Sequence, residues 1–320
     1  TKALSPGPNT IVVTDGQDTR SIVVTWQTFD GGPVTEDLTL YRAASPYHIT
    51  RDIIVHAGVT LTIEPGTELH FSRGSSLLVY GRLLAEGTAA QPIVFTGEDG
   101  VHWGAIAFYS TTEDNRIAHA VIEWTTEEPA DLRAQGVTAY DSTLTLSDSV
   151  VRHTEGSALH LQDSNVHILR NDIYDVWGLW SGLYGDALKA DGGQAVVEGN
   201  HVYDVHTTGG DGVQFTDTAV PPILRDNHIH HIDDDCVDLN HSSGTLERNV
   251  LHDCGDKGIS LGHVGTTTLA NNLVYRCDMG IAVKDGHQST LANVTVADCV
   301  TGLALYQAHE WEGGGQATVV

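Results

Sequence analysis

The chain reads as an all-β solenoid, a stack of coils built from short strands. Three observations predict it. A phrase of small residue, apolar, any residue, apolar recurs as Ala158-Leu159-His160-Leu161, Ala187-Leu188-Lys189-Ala190, Gly212-Val213-Gln214-Phe215 and Cys236-Val237-Asp238-Leu239. It continues as Gly258-Ile259-Ser260-Leu261, Gly280-Ile281-Ala282-Val283 and Gly302-Leu303-Ala304-Leu305, so its second residues step by 29, 25, 24, 22, 22 and 22. A period of this size marks units that bury their apolar face only by stacking. Second, Asn171, Asn200, Asn227, Asn249, Asn272 and Asn293 recur before short apolar runs, as an Asn ladder between coils would. Third, no 3.6-residue pattern survives over a useful length. Residues one period apart then become neighbours at roughly 4.8 Å, and chemistry can be read down columns.

Residues 1–47 do not fit the repeat. Ile11–Thr14 and Ser21–Trp26 read as strands around the Asp15-Gly16-Gln17 turn signal, and the segment is expected to cap the open end of the stack. From 48 to 320 about ten to eleven coils are expected. Their opening strands are Asp52–Val55, Val59–Ile63, Glu68–Phe71 and Leu77–Tyr80. Gly104–Phe108 and Gly136–Tyr140 carry the phrase further back. The long step between His160 and Lys189 holds Trp177, Trp180 and Tyr184, expected as an aromatic loop projecting from the stack.

Composition narrows the partners. With 42 acidic and 16 basic residues the formal net charge is −26, which disfavours nucleic acid and anionic membranes. It suits a solvated acidic surface or sites for hard cations. No apolar run reaches membrane-spanning length. No signal peptide begins at Thr1, and the start reads as a processed or truncated one. Gln316–Val320 reads as an uncapped strand, which predicts a longer native chain. Cys277 and Cys299 share a column and Cys254 lies close to it, so the plain expectation is a buried thiol ladder, with one disulfide left open. The spacing lacks a zinc-ribbon pattern.

Short strands, an Asn ladder and a period near 22 resemble the right-handed parallel β-helix of pectate-lyase-like proteins, over residues 48–320. Gly58–Gly66 followed by Pro92–Phe95 is similar to the opening coils of bacterial surface β-helix proteins. That fold hosts lyases, hydrolases, epimerases and adhesins, so function must come from a site.

One stretch departs from plain repeat chemistry. Asp233, Asp234, Asp235 and Asp238 fall within six positions. Asp186, Asp211, Asp235 and Lys257 form the column before the small residue, and Lys189, Gln214, Asp238 and Ser260 the column two residues beyond it. Carboxylates packed this closely repel unless a cation or shared protons relieve them. Asp211, Asp234, Asp235 and Asp238 are therefore expected to cage Ca²⁺. The run Asp234-Asp235-Cys236-Val237-Asp238 with Asp211 also resembles the calcium site of a β-helix pectate lyase family. That family places its lysine where this chain has Ser260.

Three of the four lysines, Lys189, Lys257 and Lys284, lie in the recurring motif. A β-elimination on a uronate needs a cation and a neutral base. Lys257 is expected as base, with Lys284 second and Asp235 as a further catalytic group. Arg276, Arg248 and Lys189 are expected to hold substrate carboxylates. The plain alternative for Lys257 is an ion pair with Asp235 or Asp256. A second resemblance, to polygalacturonases, rests on Asp234-Asp235 and Gly255–Gly262, with Lys257 where that family has His. Hydrolysis would need one carboxylate as acid and another as base. His230 with His252, and His241 with His263, share columns that suit a transition metal. The expected protein is thus a secreted or cell-surface, monomeric, calcium-dependent lyase of an acidic polysaccharide. A non-enzymatic surface β-helix and a polygalacturonase-like hydrolase are the alternatives.

Overall fold

The computed structural model describes residues 7–14, 19–26, 28–128, 131–178 and 185–320. Three parallel sheets of 12, 12 and 11 strands run the length of a solenoid. Each coil supplies one strand to the first sheet, then one to the second, then one to the third. In the coil that opens at Val237–Asn240, the second strand is Gly244–Glu247 and the third Val250–Cys254.

The stack starts earlier than the expected boundary at 48. Gly32–Val34 pairs with Ile53–Val55, Leu38–Leu40 with Thr60–Ile63, and Tyr47–Ile49 with Glu68–Phe71, all parallel. Residues 32–47 are therefore the first coil. Their apolar positions are too few to show a period before the next coil confirms it. Gly7–Thr14 and Thr19–Trp26 form an antiparallel hairpin that shares no sheet with the stack.

Strand alternation builds the core. Leu61, Leu83, Ile117, Leu144, Val166 and Ala195 point inward in the second sheet and are essentially inaccessible. Phe71, Phe95, Phe108, Phe215 and Trp103 fill the wider parts, with Phe71 stacked on Trp103 at 4.1 Å.

The Asn ladder closes the corner between second and third sheets. Asn171 N–H and Nδ2 donate to Asn200 Oδ1 at 2.9 and 3.0 Å. The pattern repeats from Asn200 to Asn227, Asn227 to Asn249 and Asn249 to Asn272. Each buried amide thus meets the corner's backbone needs, and losing one costs about 1–3 kcal/mol. The ladder extends backward through Ser149, whose N–H donates to Asn171 Oδ1. It ends sooner than expected. The register Leu273↔Thr295 puts Val294 in the ladder column, and Asn293 pairs with Asn271 one residue earlier.

Cysteine chemistry differs from a thiol ladder. Cys236 and Cys254 form a disulfide, with Cα atoms 5.5 Å apart. Cys236 sits at the small-residue position and Cys254 ends the third-sheet strand of the same coil, so the bridge crosses the coil's interior. Cys277 and Cys299 remain thiols, and burial pushes Cys277 up to about 12. In the expected aromatic loop, Trp180 and Tyr184 lie outside the described residues; Trp177 ends a third-sheet strand.

Candidate functional site

Two columns of the first sheet carry the chemistry. The first lies at the corner where each coil enters the sheet. Here the side chain of one coil accepts the backbone N–H of the next. Ser157 N–H donates to Gln135 Oε1 at 2.7 Å, and Asp186 N–H to Ser157 Oγ at 3.3 Å. Asp211 N–H donates to Asp186 Oδ1 at 2.7 Å, Asp235 N–H to Asp211 Oδ1 at 3.2 Å, and Lys257 N–H to Asp235 Oδ1 at 2.9 Å. This acidic column was legible as a column, and the structure gives it an architectural use.

Stacking these acids has an electrostatic cost. Burial raises Asp186 to about 6, partly offset by the Asp211 N–H, Lys189 and His160. Burial raises Asp235 to about 6 as well, against the pull of Lys257. Asp211 is raised well above the usual carboxylate range by burial, then by the charges of Asp238, Asp186, Asp235 and Asp234.

Of the four expected calcium ligands, Asp211 and Asp238 each hydrogen-bond within their own coil. Asp211 Oδ2 accepts from Gln214 Nε2 at 3.0 Å, and Asp238 Oδ2 accepts from Asn240 Nδ2. Among the described residues, the all-carboxylate group with oxygens in mutual metal-ligand reach is Asp234, Asp235 and Asp256. The Lys257 ammonium stands against that group, 3.3 Å from Asp235 Oδ1 and hydrogen-bonded to Asp256 Oδ2. A side-chain cation thus stands against these carboxylates, while Asp238 Oδ1 is buried without a hydrogen-bond partner.

The same geometry puts Lys257 in the ion pair that was the plain alternative to its role as base. Burial alone would lower its pKa, but the hydrogen bond to Asp256 and the charge of Asp235 outweigh it, and the net shift is upward. A base must be neutral; this ammonium is held protonated. Asp235 is engaged by both the N–H and the Nζ of Lys257, which leaves it poorly placed as a proton donor to substrate.

The arginines lie elsewhere. Arg248 sits at the corner between second and third sheets, 2.7 and 2.8 Å from the Asp226 carboxylate. Arg276 lies on the third sheet, paired with Asp253 and placed over the Tyr275 ring at 4.5 Å. It lines a cleft of about 440 Å³ with Asp204, His206, His231 and Asp233. Neither joins the lysines of the first sheet.

The second column faces outward. Its register runs Thr138, His160, Lys189, Gln214, Asp238, Ser260. Two residues further along each strand lies a companion column: Tyr140, Gln162, Asp191, Thr216, Asn240, Gly262. Lys284 lies at this position further along the stack, and its side chain covers Gly262.

The N-terminal part of this face is aromatic. Tyr80 stacks on Tyr109 at 5.3 Å, Tyr109 on Tyr140 at 5.5 Å, and Tyr140 meets the edge of His160 at 5.8 Å. Immediately beyond, Asp191 Oδ2 lies 3.8 Å from both His160 Nε2 and Lys189 Nζ. Burial raises the Asp191 carboxyl, but His160 and Lys189 more than reverse it, so it stays ionised. A row of stacked tyrosines thus runs into an imidazole, an ammonium and a carboxylate on two adjacent coils. Sequence reasoning missed Tyr80, Tyr109, Tyr140, His160 and Asp191. Their signal was the residue just after the phrase, filled by Tyr on three successive coils.

The expected histidine columns do form. His230 stacks on His252 at 4.7 Å and His241 on His263 at 4.0 Å. Both pairs lie away from the Tyr140–Lys189 face.

Comparison with known proteins places this geometry. Residues 211–310 match the family model described as right handed beta helix region, and residues 32–150 match pectate-lyase like beta helix domain. A segment of 66 residues, 21% of this chain, is 42% identical to the protein bark beetle of Drosophila melanogaster, and spans 2% of that protein's length. Among solved structures, the periplasmic alginate epimerase AlgG aligns with a TM-score of 0.52 at 13% identity, over 81% of this chain and 77% of that one. An alginate lyase from Paenibacillus sp. str. FPU-7 aligns with a TM-score of 0.51 at 10% identity, over 80% and 99%. At such identities the likeness is one of fold. Matched models at both ends of a stack whose sheets are parallel throughout make this chain a member of the right-handed parallel β-helix superfamily.

Proposed function

We propose that this chain is a carbohydrate-active β-helix that cleaves an acidic polysaccharide by β-elimination on the outward face of its first sheet. One observation carries the reading: the Tyr80–Tyr109–Tyr140 stack leads directly onto His160, Lys189 and Asp191. Sugar rings pack on aromatic faces, and a negatively charged chain needs a cation to receive a uronate. Lys189 supplies that cation. With the uronate carboxylate paired to its ammonium, the adjacent C5–H becomes more acidic. His160 then takes the C5 proton, with Asp191 stabilising the imidazolium. The released electron pair forms the C4–C5 double bond, the C4–O bond breaks, and the departing oxygen takes a proton from water. No step runs through Lys257 or a calcium ion.

The names of the two solved neighbours, an alginate epimerase and an alginate lyase, agree with an acidic polysaccharide as substrate. The Cys236–Cys254 disulfide supports an oxidising, extracytoplasmic setting.

The test is ultraviolet absorbance of unsaturated product from a panel of polyuronates. Wild type should produce it, and His160→Ala should slow it about 100-fold or more at unchanged melting temperature. Binding of a polyuronate without product from any polymer would replace this reading by the non-enzymatic surface protein. Full activity in His160→Ala would remove the imidazole from the mechanism.

A further inference from the structure

The third sheet carries a second chemical centre that the first-sheet reaction does not use. His201 and His228 occupy one column, and His230 and His252 the column two residues along the same strands. The four rings form a block across three coils. His201 lies over His228 at 5.0 Å with planes 6° apart, and His230 over His252 at 4.7 Å with planes 1° apart. The block is closed along the stack by Tyr203 on His230 and Tyr275 on His252.

The ring nitrogens point at one another. His201 Nε2 lies 2.8 Å from His230 Nε2, and His228 Nε2 lies 2.8 Å from His252 Nε2. Ligand nitrogens of His201, His228 and His230 all fall within 4.8 Å of one another. Imidazoles gathered this way satisfy at most one N–H···N contact per pair, so the remaining nitrogens face like groups. An ion at their centre would satisfy all of them. The far side of the block is held by carboxylates. Asp172 Oδ1 is 3.4 Å from His201 Nδ1, and Asp253 Oδ2 is 2.6 Å from His252 Nδ1. A carboxylate on Nδ1 fixes the proton there and turns the Nε2 lone pair inward, the arrangement that orients metal-bound histidines.

We infer that His201, His228 and His230, with His252 beside them, form a binding site for a divalent transition-metal ion that staples two consecutive coils against a third. The donor set selects the ion. Three or four imidazole nitrogens with no carboxylate among them suit Zn²⁺, Cu²⁺ or Ni²⁺ and exclude Ca²⁺ and Mg²⁺, which take oxygen. Sequence spacing pointed to the His230–His252 column alone. Only the pairing of strands two residues out of phase brings in His201 and His228.

The probes are Zn²⁺ and Co²⁺ added to chelator-treated full chain. Zn²⁺ at 100 times its dissociation constant should raise wild-type stability by about 2.7 kcal/mol, the linkage value for a hundredfold excess. Co²⁺ should give visible absorption bands of a nitrogen-rich site. His228→Phe keeps a ring in the stack. It should fold with unchanged circular dichroism, lose the Co²⁺ bands, and weaken Zn²⁺ at least 100-fold. Asp172→Asn, a positioning change, should weaken Zn²⁺ about 10-fold and leave metal-free stability unchanged. A second Zn²⁺ equivalent could arise at His263, Asp285, His309 and Glu312, which also lie within ligand reach. His263→Phe must therefore leave the Co²⁺ bands of the first site intact. Bands that survive His228→Phe, or a wild type that shows neither bands nor stabilisation, would overturn the inference.

Discussion

Two columns of the first sheet lie three residues apart on the same strands and use similar residues for opposite ends. The corner column, Asp186–Asp211–Asp235–Lys257, is buried, and each Asp in it accepts the N–H of the coil after it. The outward column is half-buried at His160, Lys189 and Gln214 and buried at Asp238, and its His160 and Lys189 lie beside an ionised Asp191. A charged group in a solenoid is therefore defined by its place on the coil more than by its type. At the corner the backbone consumes it. On the face it remains available. Raised carboxylate pKa values mark the first column, and they report burial and crowding there as much as function.

Removing the lysine of each column separates the two most strongly. Lys257 and Asp235 are 11% and 8% exposed at their side chains, so Lys257→Met strands buried carboxylates. The expected loss is about 3–5 kcal/mol of stability. Lys189 is 34% exposed and 3.8 Å from its partner, so Lys189→Met should cost less than about 1 kcal/mol. Its effect should fall instead on polyuronate turnover. Denaturant unfolding and product absorbance on both variants decide the matter. A stable Lys257→Met that has lost only activity would collapse the distinction and return Lys257 to the catalytic role.

A titration sharpens the corner column further. The folded pKa of Asp186 is raised from 3.8 to about 6, so folding favours its protonated form. Its contribution is fully present below the unfolded value and is lost as pH rises through about 6. Asp186→Asn keeps an oxygen to accept the Asp211 N–H and removes the titration. The stability of the variant relative to wild type should therefore grow between pH 4 and 7, by at most about 3 kcal/mol for a shift of roughly two units. A difference that stays flat across that window would mean Asp186 is not carrying a desolvated charge.

The parts of this picture that sequence exposed are those that repeat. Asp186, Asp211, Asp235 and Lys257 were readable as one column because a period near 22 fixes which residues are neighbours. The same arithmetic placed Lys189 above Gln214 and Asp238, and it anticipated the ion pair of Lys257 as the plain alternative to a base. It could not show that Asp211 and Asp238 would spend their second oxygens on Gln214 and Asn240, because those partners lie within a coil, where rotamers decide. Arg248 and Arg276 were assigned by residue type alone, and each had an aspartate one coil away, Asp226 and Asp253. Asn293 failed by one residue because the corner keeps its length, from Ala270↔Ala292 to Leu273↔Thr295, and Val294 fills the ladder position. The Tyr80–Tyr109–Tyr140 stack followed the phrase throughout, but wide steps of 29 and 31 residues hid it from a search tuned to 22.

The smallest effect tests whether the outward face is a platform at all. Tyr109 stacks between Tyr80 and Tyr140 over a floor of Ala105 and Ala107. A contact to a sugar ring there adds about 0.5–1.5 kcal/mol, or roughly a 3–10-fold change in affinity. Tyr109→Ala should weaken oligouronate binding by that factor in calorimetry, and Tyr109→Phe should restore it, since the ring of the stacked row rather than the hydroxyl makes the contact. The third sheet supplies the control. Tyr203 stacks on Tyr174 at 4.8 Å in an equally regular column, but the cation beside that stack is the Arg152 guanidinium, already held by Glu123 and the Tyr174 hydroxyl. Tyr203→Ala should leave oligouronate affinity unchanged. Equal losses from the two substitutions would mean that any aromatic ladder on this solenoid binds the sugar, and that the His160–Lys189 pair does not select the face.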